Sequence, residues 1–230
     1  MALILQIETS TTSCSVALAE NGNVLSVKEM NERNIHASHI TLFIGEVLKC
    51  SGRTMSDLDA VAVSKGPGSY TGLRIGVSAA KGLCYALDIP LVAVSTLQAM
   101  AAGLIGRFSE QEVLLCPMID ARRMEVYTAI FDQHLTEISP VEAKIIDPES
   151  FSNVLASNTV VFFGDGAEKC QDILGTSNHA VFVTDFFNSA IHFSGIAFEK
   201  YNAQQFEDIA YFEPYYLKDF LVAKPKSKLS

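Results

Sequence analysis

"SKGPGSYTGLRIG", residues 64–76, lies between the apolar run LDAVAV and the small, apolar stretch VSAAKGLCYAL. Glycines at 66, 68 and 72 and a proline at 67 turn the chain from a strand into a helix. Such a turn is a common place for a phosphate, because helix N-termini favour anions. The spacing departs from both familiar cradles. A P-loop ends in glycine, lysine and a hydroxyl residue, but here Thr71 holds the glycine position and Gly72 precedes Leu73-Arg74. The dinucleotide fingerprint fails at Thr71 too, where its third glycine would stand. Two readings remain: an anion site at the helix start, or a tight turn in which Gly66 and Gly68 take positive φ and Pro67 stiffens the corner.

The helix that follows carries two ridges of small residues. Gly72, Gly76, Ala80 and Cys84 form one, Ser78, Gly82 and Ala86 the other, and charge is confined to Arg74, Lys81 and Asp88. A helix with so little polar surface needs cover on more than one side. Its own lobe could supply both sides, or a sheet could cover one and another subunit the other.

Upstream, Leu3–Glu8 reads as a buried strand, followed by the hydroxyl-rich turn TSTTS, the strand CSVALA, the turn signal ENGN and a returning strand VLSVKEM. Ile40, Phe43, Ile44, Val47 and Leu48 fall at helical spacing, with Gly52 as a stop. Downstream, IPLVAVS reads as a strand and TLQAMAAGLIG as a helix. The pattern then restarts: VLLCPMID ends in Asp120 as the first strand ends in Glu8, and MEVYTAIFD is its hairpin partner. This points to a duplicated unit and two α/β lobes, 1–108 and 109–230. The second lobe continues with a helix after DPES, the strand TVVFF, the loop GDG, a helix to about Leu174 and a last helix in HFSGIAFEKYNAQQF. The basic tail YYLKDFLVAKPKSKLS is expected to fray.

Hydrophobic residues make up 49% and charged residues 19% of the 230, the balance of a globular protein. The net charge of −9 opposes autonomous binding to a phosphate backbone. Five scattered cysteines without a C-x-x-C pair read as reduced core thiols, and no apolar run reaches membrane-spanning length. A cytoplasmic location is expected. His36 and His39 stand one helical turn apart but lack companion ligands, so a solvent-facing or hydrogen-bonded pair near a helix start is the simpler reading. Glu8, followed by Thr9 and Ser10, could hold magnesium and a phosphate, or could simply close a hairpin.

Taken together, ILQIETSTTSCSVAL, SKGPGSYTGLRIGVSAAKGL, IPLVAVSTLQAMA and IDARRMEVYTA resemble the bacterial TsaB family of tRNA threonylcarbamoyladenosine biosynthesis proteins, in order, over residues 1 to about 132. EPYYLK, residues 213–218, is similar to an element near that family's end. The resemblance implies the two-lobed sugar-kinase, heat-shock-chaperone and actin-like α/β fold. It implies a non-catalytic subunit that partners the catalytic TsaD and the ATPase TsaE, pairs with itself in isolation, and meets tRNA only through the complex. ATP or ADP and the metal would belong to those partners, with no cofactor and no metal in this chain. TsaD carries an H-x-x-x-H metal pair where this sequence has Thr96 and Met100, neither of which replaces an imidazole. The implied docking face comprises His36, Ile40, Phe43, Arg74, Gly76, Ser78, Ala80 and Gly82. Glu8, Thr9, Ser10, Gly66 and Gly68 would be a vestigial nucleotide site. The rival expectation is a small-molecule kinase of the same fold that uses Glu8, the glycine loop and magnesium ATP.

Overall fold

The computed structural model describes residues 1–32, 35–108 and 112–218. The expected division at Ser109 and the tail beyond Lys218 lie outside them.

Strand β1 (Leu3–Glu8) pairs antiparallel with β2 (Ser13–Glu20), and β2 with β3 (Asn23–Asn31). The β2–β3 turn uses Asn21 and Gly22 at φ 52° and 80°, the left-handed conformations for which an Asn-Gly pair is suited. Helix α1 (His36–Cys50) leads to β4 (Ala60–Ser64), and α2 (Tyr70–Leu87) to β5 (Leu91–Val94). Both crossovers are parallel, so the first sheet runs β3-β2-β1-β4-β5. After α3 (Thr96–Ala102) come β6 (Val113–Asp120), β7 (Glu125–Phe131), β8 (Glu137–Ile145), a short α4 (Ser152–Leu155) and β9 (Thr159–Phe163). A short α5 (Gln171–Leu174), β10 (Ala180–Val183) and α6 (Ser194–Asn202) complete the order. The second sheet runs β8-β7-β6-β9-β10, the same order and the same pattern of two antiparallel and two parallel pairings as the first. The duplicated unit is real.

Alternation along β1 assigns each face of the first sheet its cover. Leu3, Leu5 and Ile7 pack with Ile40, Phe43, Val47, Val77 and Ala80 of α1 and α2. Ile4 points the other way and joins Ala62, Val92, Ala190, Phe193 and Ala197. Residues 190–202, expected to belong to the second lobe, therefore pack on the first sheet. Polar bonds hold that return: Ser194 Oγ donates to Gln6 Oε1 at 2.7 Å, and Ser189 Oγ donates to Glu29 at 2.6 Å.

The chain then straps across the first lobe. Glu207 N donates to the Leu91 carbonyl on the β5 edge at 2.9 Å, and Tyr215 N donates to that of Lys65 at 2.7 Å. Lys81 Nζ donates to the Phe212 carbonyl at 2.9 Å, and the Tyr216 ring lies 4.7 Å from that of Tyr70. Lys218 ends the strap on Glu125 of the second lobe. Tyr215 to Lys218, the described start of the tail expected to fray, are thus held by contacts to both lobes.

The glycine loop explains how β1 and α2 come together. A Cβ on Gly72 would collide with the Thr9 carbonyl, one on Gly76 with Thr9 Oγ1, and one on Gly68 with the Ser10 backbone. Thr9 Oγ1 donates to the Gly72 carbonyl at 2.8 Å, and Ser69 N donates to that of Ser10 at 2.6 Å. Ser69 caps α2 by accepting from Gly72 N. Gly66 has φ +114°, as expected, with the Tyr215 carbonyl only 2.5 Å from where a Cβ would sit. Gly68 has no positive φ; it is glycine because Ser10 is close, which corrects the turn-geometry expectation.

Gly72→Ala is expected to destabilise the fold by about 1–3 kcal/mol through overpacking on backbone. Gly82→Ala, with open space around its Cβ position, is expected to raise stability by about 0.5–1 kcal/mol. Denaturant midpoints measure both; equal effects at the two sites would contradict the close approach.

Candidate functional site

Two places could carry function: the cleft where the β1–β2 turn faces the second lobe, and the outer surface of α1 and α2.

At the cleft, Glu8 is 1% exposed and accepts the Ser10 amide at 2.6 Å. Burial pushes its carboxyl above the ordinary range, opposed by hydrogen bonds from Ser10. Burial, with the Glu8 charge adding to it, pushes the neighbouring Cys14 thiol to about 11. Burial also takes Cys84 to about 11 and Cys116 to about 12, so these thiols stay protonated and inert at neutral pH. The cavity beyond, about 180 Å³, is lined by Thr11, Ser13, Asn31, Asp165, Glu168 and Asn188 among others, with phenylalanines at 182, 186 and 187. It is smaller than the ~300–1,000 Å³ usual for ligand sites. Neither lysine nor arginine lines it among the described residues. A triphosphate there would meet Asp165 and Glu168 instead of cations. Asp165 is reached by solvent yet recessed, and this desolvation raises its carboxyl pKa, with Asp120 adding a like charge.

Three of the loop's amides are committed: Gly66 N donates to Thr96 Oγ1 at 3.2 Å, Ser69 N to the Ser10 carbonyl, and Gly72 N to Ser69 Oγ at 3.3 Å. Thr96 N returns a bond to the Gly66 carbonyl at 3.1 Å, so this threonine ties α3 to the loop. Met100 is buried among Leu97, Leu115 and Phe163. Both side chains at the would-be metal positions thus have structural duties. Among the described residues, no group of three or more His, Cys, Asp or Glu side chains is placed to hold a metal. His36 Nε2 lies 3.2 Å from the Ser13 carbonyl and His39 Nδ1 2.9 Å from Ser38 Oγ, a hydrogen-bonded pair.

On the outer surface, α2 separates its two ridges. Gly72, Gly76, Ala80 and Cys84 are buried against the sheet, while Arg74, Ser78, Gly82 and Ala86 are exposed. Tyr85 beside them is 83% exposed, and Leu42 on the packed neighbour α1 is 59% exposed. Gly45 and Gly82 have nothing within 4 Å of their Cβ positions.

A family model described as "TsaD: tRNA N6-adenosine threonylcarbamoyltransferase" matches residues 29–228. The tRNA threonylcarbamoyladenosine biosynthesis protein TsaB of Escherichia coli is 40% identical over 130 residues, 56% of this chain and 55% of that one. The Haemophilus influenzae TsaB is 32% identical over 172 residues, 71% of this chain and 72% of that one. The chain belongs to the TsaB family. The match spans about half the length of the E. coli relative and nearly three quarters of the H. influenzae one. A Pseudomonas aeruginosa protein described as similar to peptidase YEAZ superposes with a TM-score of 0.80 at 26% identity, over 95% of this chain and all of that one. An Arthrobacter polyphosphate/ATP-glucomannokinase, with a TM-score of 0.51 at 11% identity over 88% of this chain and all of that one, shows the fold alone. The two-lobed actin-like and sugar-kinase architecture expected from the sequence is present.

Within this family frame, five residues expected on the docking face lie inside. His36 and Phe43 are each 7% exposed, Ile40 3%, Ala80 0%, and Gly76 is pressed on Thr9. They hold α1 and α2 to the sheet and expose little or no surface in this chain. Arg74, Ser78 and Gly82 remain outward. Leu42, Gly45 and Tyr85, not singled out from the sequence, also lie on this outer surface; Leu42 stands off the buried stripe of α1, a signal that helical spacing does contain. Of the expected nucleotide-site residues, Glu8, Ser10 and Gly68 come together, with Thr9 on the start of α2, whereas Gly66 packs against Tyr215, Leu73 and Thr96.

A group whose folded-state pKa is raised stabilises the fold below its unfolded pKa, and that contribution disappears as pH rises through the folded value. Glu8→Gln is therefore expected to be more stable than the wild type at pH 8 and to flatten the decline in stability above the ordinary carboxylate pKa. Thermal melts from pH 4 to 9 test this; a parallel profile would show that Glu8 is not the group responsible.

Proposed function

We propose that this chain is the non-catalytic scaffold subunit of the assembly that adds threonylcarbamoyl to the adenosine beside the anticodon of tRNA. Its catalytic partner is a TsaD-type subunit, and a TsaE-type ATPase joins the pair. The observation that carries the reading is the outer face of α1 and α2, where Leu42 and Tyr85 are exposed beside the uncovered glycines Gly45 and Gly82. Exposed apolar side chains next to small residues let another helix approach closely. The catalytic subunit docks there, and in its absence a second copy of this chain takes the same face. Nucleotide and metal chemistry belong to the partners. The commitments of Thr96 and Met100, and a cleft lined by neither lysine nor arginine among the described residues, support that division. The assembly works in the cytoplasm, and tRNA is held through the complex and not by this chain alone.

A pair of variants tests the face. Gly82→Trp enters open space, so the isolated chain keeps its native circular dichroism and melting temperature, but docking is blocked. Sizing is expected to show monomer, and modified nucleoside formed with the catalytic subunit to fall at least tenfold. Ala80→Glu puts a charge into a fully buried position and is expected to unfold the lobe. A Gly82→Trp protein that assembles and supports modification normally would remove this face from the account.

A further inference from the structure

The β6–β7 hairpin tip breaks a local rule twice. Arg122 and Arg123 have φ of 69° and 47°, consecutive left-handed residues at positions where glycine or asparagine would fit with least strain. The turn is well bonded: Arg122 N donates to the Asp120 carboxylate at 3.0 Å, and Ala121 N donates to the Glu125 carbonyl at 3.0 Å. Both arginines are exposed. Of the carboxylates at the base of the turn, Asp120 is answered by Lys169 and Glu125 by Lys218, while Asp165 accepts the Asp120 amide at 2.9 Å. Neither Arg122 nor Arg123 has a side-chain ion pair or hydrogen bond among the described residues, so the tip presents two unspent guanidinium groups.

An aromatic step continues from this tip. Lys218, seated on Glu125, is two residues from Tyr216, whose ring packs on Tyr70. Arg74 lies 5.5 Å from the Tyr70 ring centroid and donates to its hydroxyl at 3.2 Å. The strip therefore runs from Arg122 and Arg123 through Lys218 and Tyr216 to Tyr70 and Arg74, bridging the two lobes along the C-terminal strap. Glu213 is the exposed acid in that part of the strap.

We propose that this strip is the chain's contact with the tRNA in the assembled complex, the guanidinium groups on backbone phosphates and the tyrosine step against an unstacked base. The proposal rests on the function proposed above. Guanidinium pairs match phosphate oxygens, and ring faces beside them are the recurring platform for single-stranded nucleic acid. An acidic protein surface would use the charges but has no need of the stacked tyrosines. The overall charge of −9 means that the strip contributes within the complex and does not capture RNA unaided.

The test is the double variant Arg122→Asn/Arg123→Gly, which suits the left-handed backbone and so retains or raises stability while removing both charges. The full chain is assembled with its catalytic subunit, and tRNA affinity is measured from about 50 to 200 mM salt. The expected result is binding about tenfold weaker at physiological salt, with the slope of log affinity against log salt reduced by about 2. Subunit association stays unchanged and the melting temperature is equal or higher. Unchanged affinity and slope overturn the proposal, as does a loss traced entirely to failed subunit association, which would make the strip a protein-docking surface. If the wild-type complex modifies no tRNA, the functional reading falls; if it does and the variant binds tRNA equally well, only the strip falls.

Discussion

The close approach of the Thr9–Ser10 backbone to the start of α2 is the constraint on which the rest of the molecule depends. Glycines at 68, 72 and 76 are the condition for it, because each lies where a Cβ would meet the turn. That contact takes a strand–turn–helix that could cradle an anion and turns it into an internal joint. The same joint fixes how α2 rolls on its sheet. With Gly72 and Gly76 pressed on Thr9, Ala80 and Cys84 must point inward, and Ser78, Gly82 and Tyr85 must point out. The proposed docking face is thus the reverse side of a packing requirement.

Other positions around the loop are tied up by the chain's own contacts in the same way. Thr96 closes a reciprocal pair of hydrogen bonds with Gly66, Met100 fills core, and the Tyr215 carbonyl covers the remaining side of the loop. Glu8 retains its carboxylate but is buried and bonded to its own turn. Across the cleft, Asp165 and Glu168 face the space that phosphates would need. These commitments support the proposed scaffold reading over a kinase on the same fold.

Much of this was legible in the sequence. The paired strands ending in Glu8 and Asp120 announced the duplication, and the strand at Ala60–Ser64 and the helix to Leu87 are found where hydrophobic pattern and glycines put them. β8 was not read, because its residues alternate Val, Glu, Ala and Lys on a half-exposed edge and form no apolar run. β10 is four residues long and shows only its pairing with β9. The strap was invisible because it is held largely by backbone groups at Lys65 and Leu91 and by the Lys81 amine, which the sequence showed only as one of the few charges on α2. The two ridges of α2 were both small, so composition could not say which faced in; the identity of the neighbour at Thr9 decides it.

Side-chain oxidation footprinting of the free chain and of its complex with the TsaD-type subunit tests the central claim most directly. Tyr85 and Leu42 are 83% and 59% exposed, and Ile145 and Phe187, at 71% and 61%, lie away from the proposed face and serve as internal controls. The account predicts that Tyr85 and Leu42 lose most of their reactivity when the subunits associate, while Ile145 on the β8 edge and Phe187 at the cleft keep theirs. Undiminished reactivity at Tyr85 and Leu42 in a complex shown by sizing to have formed would contradict it.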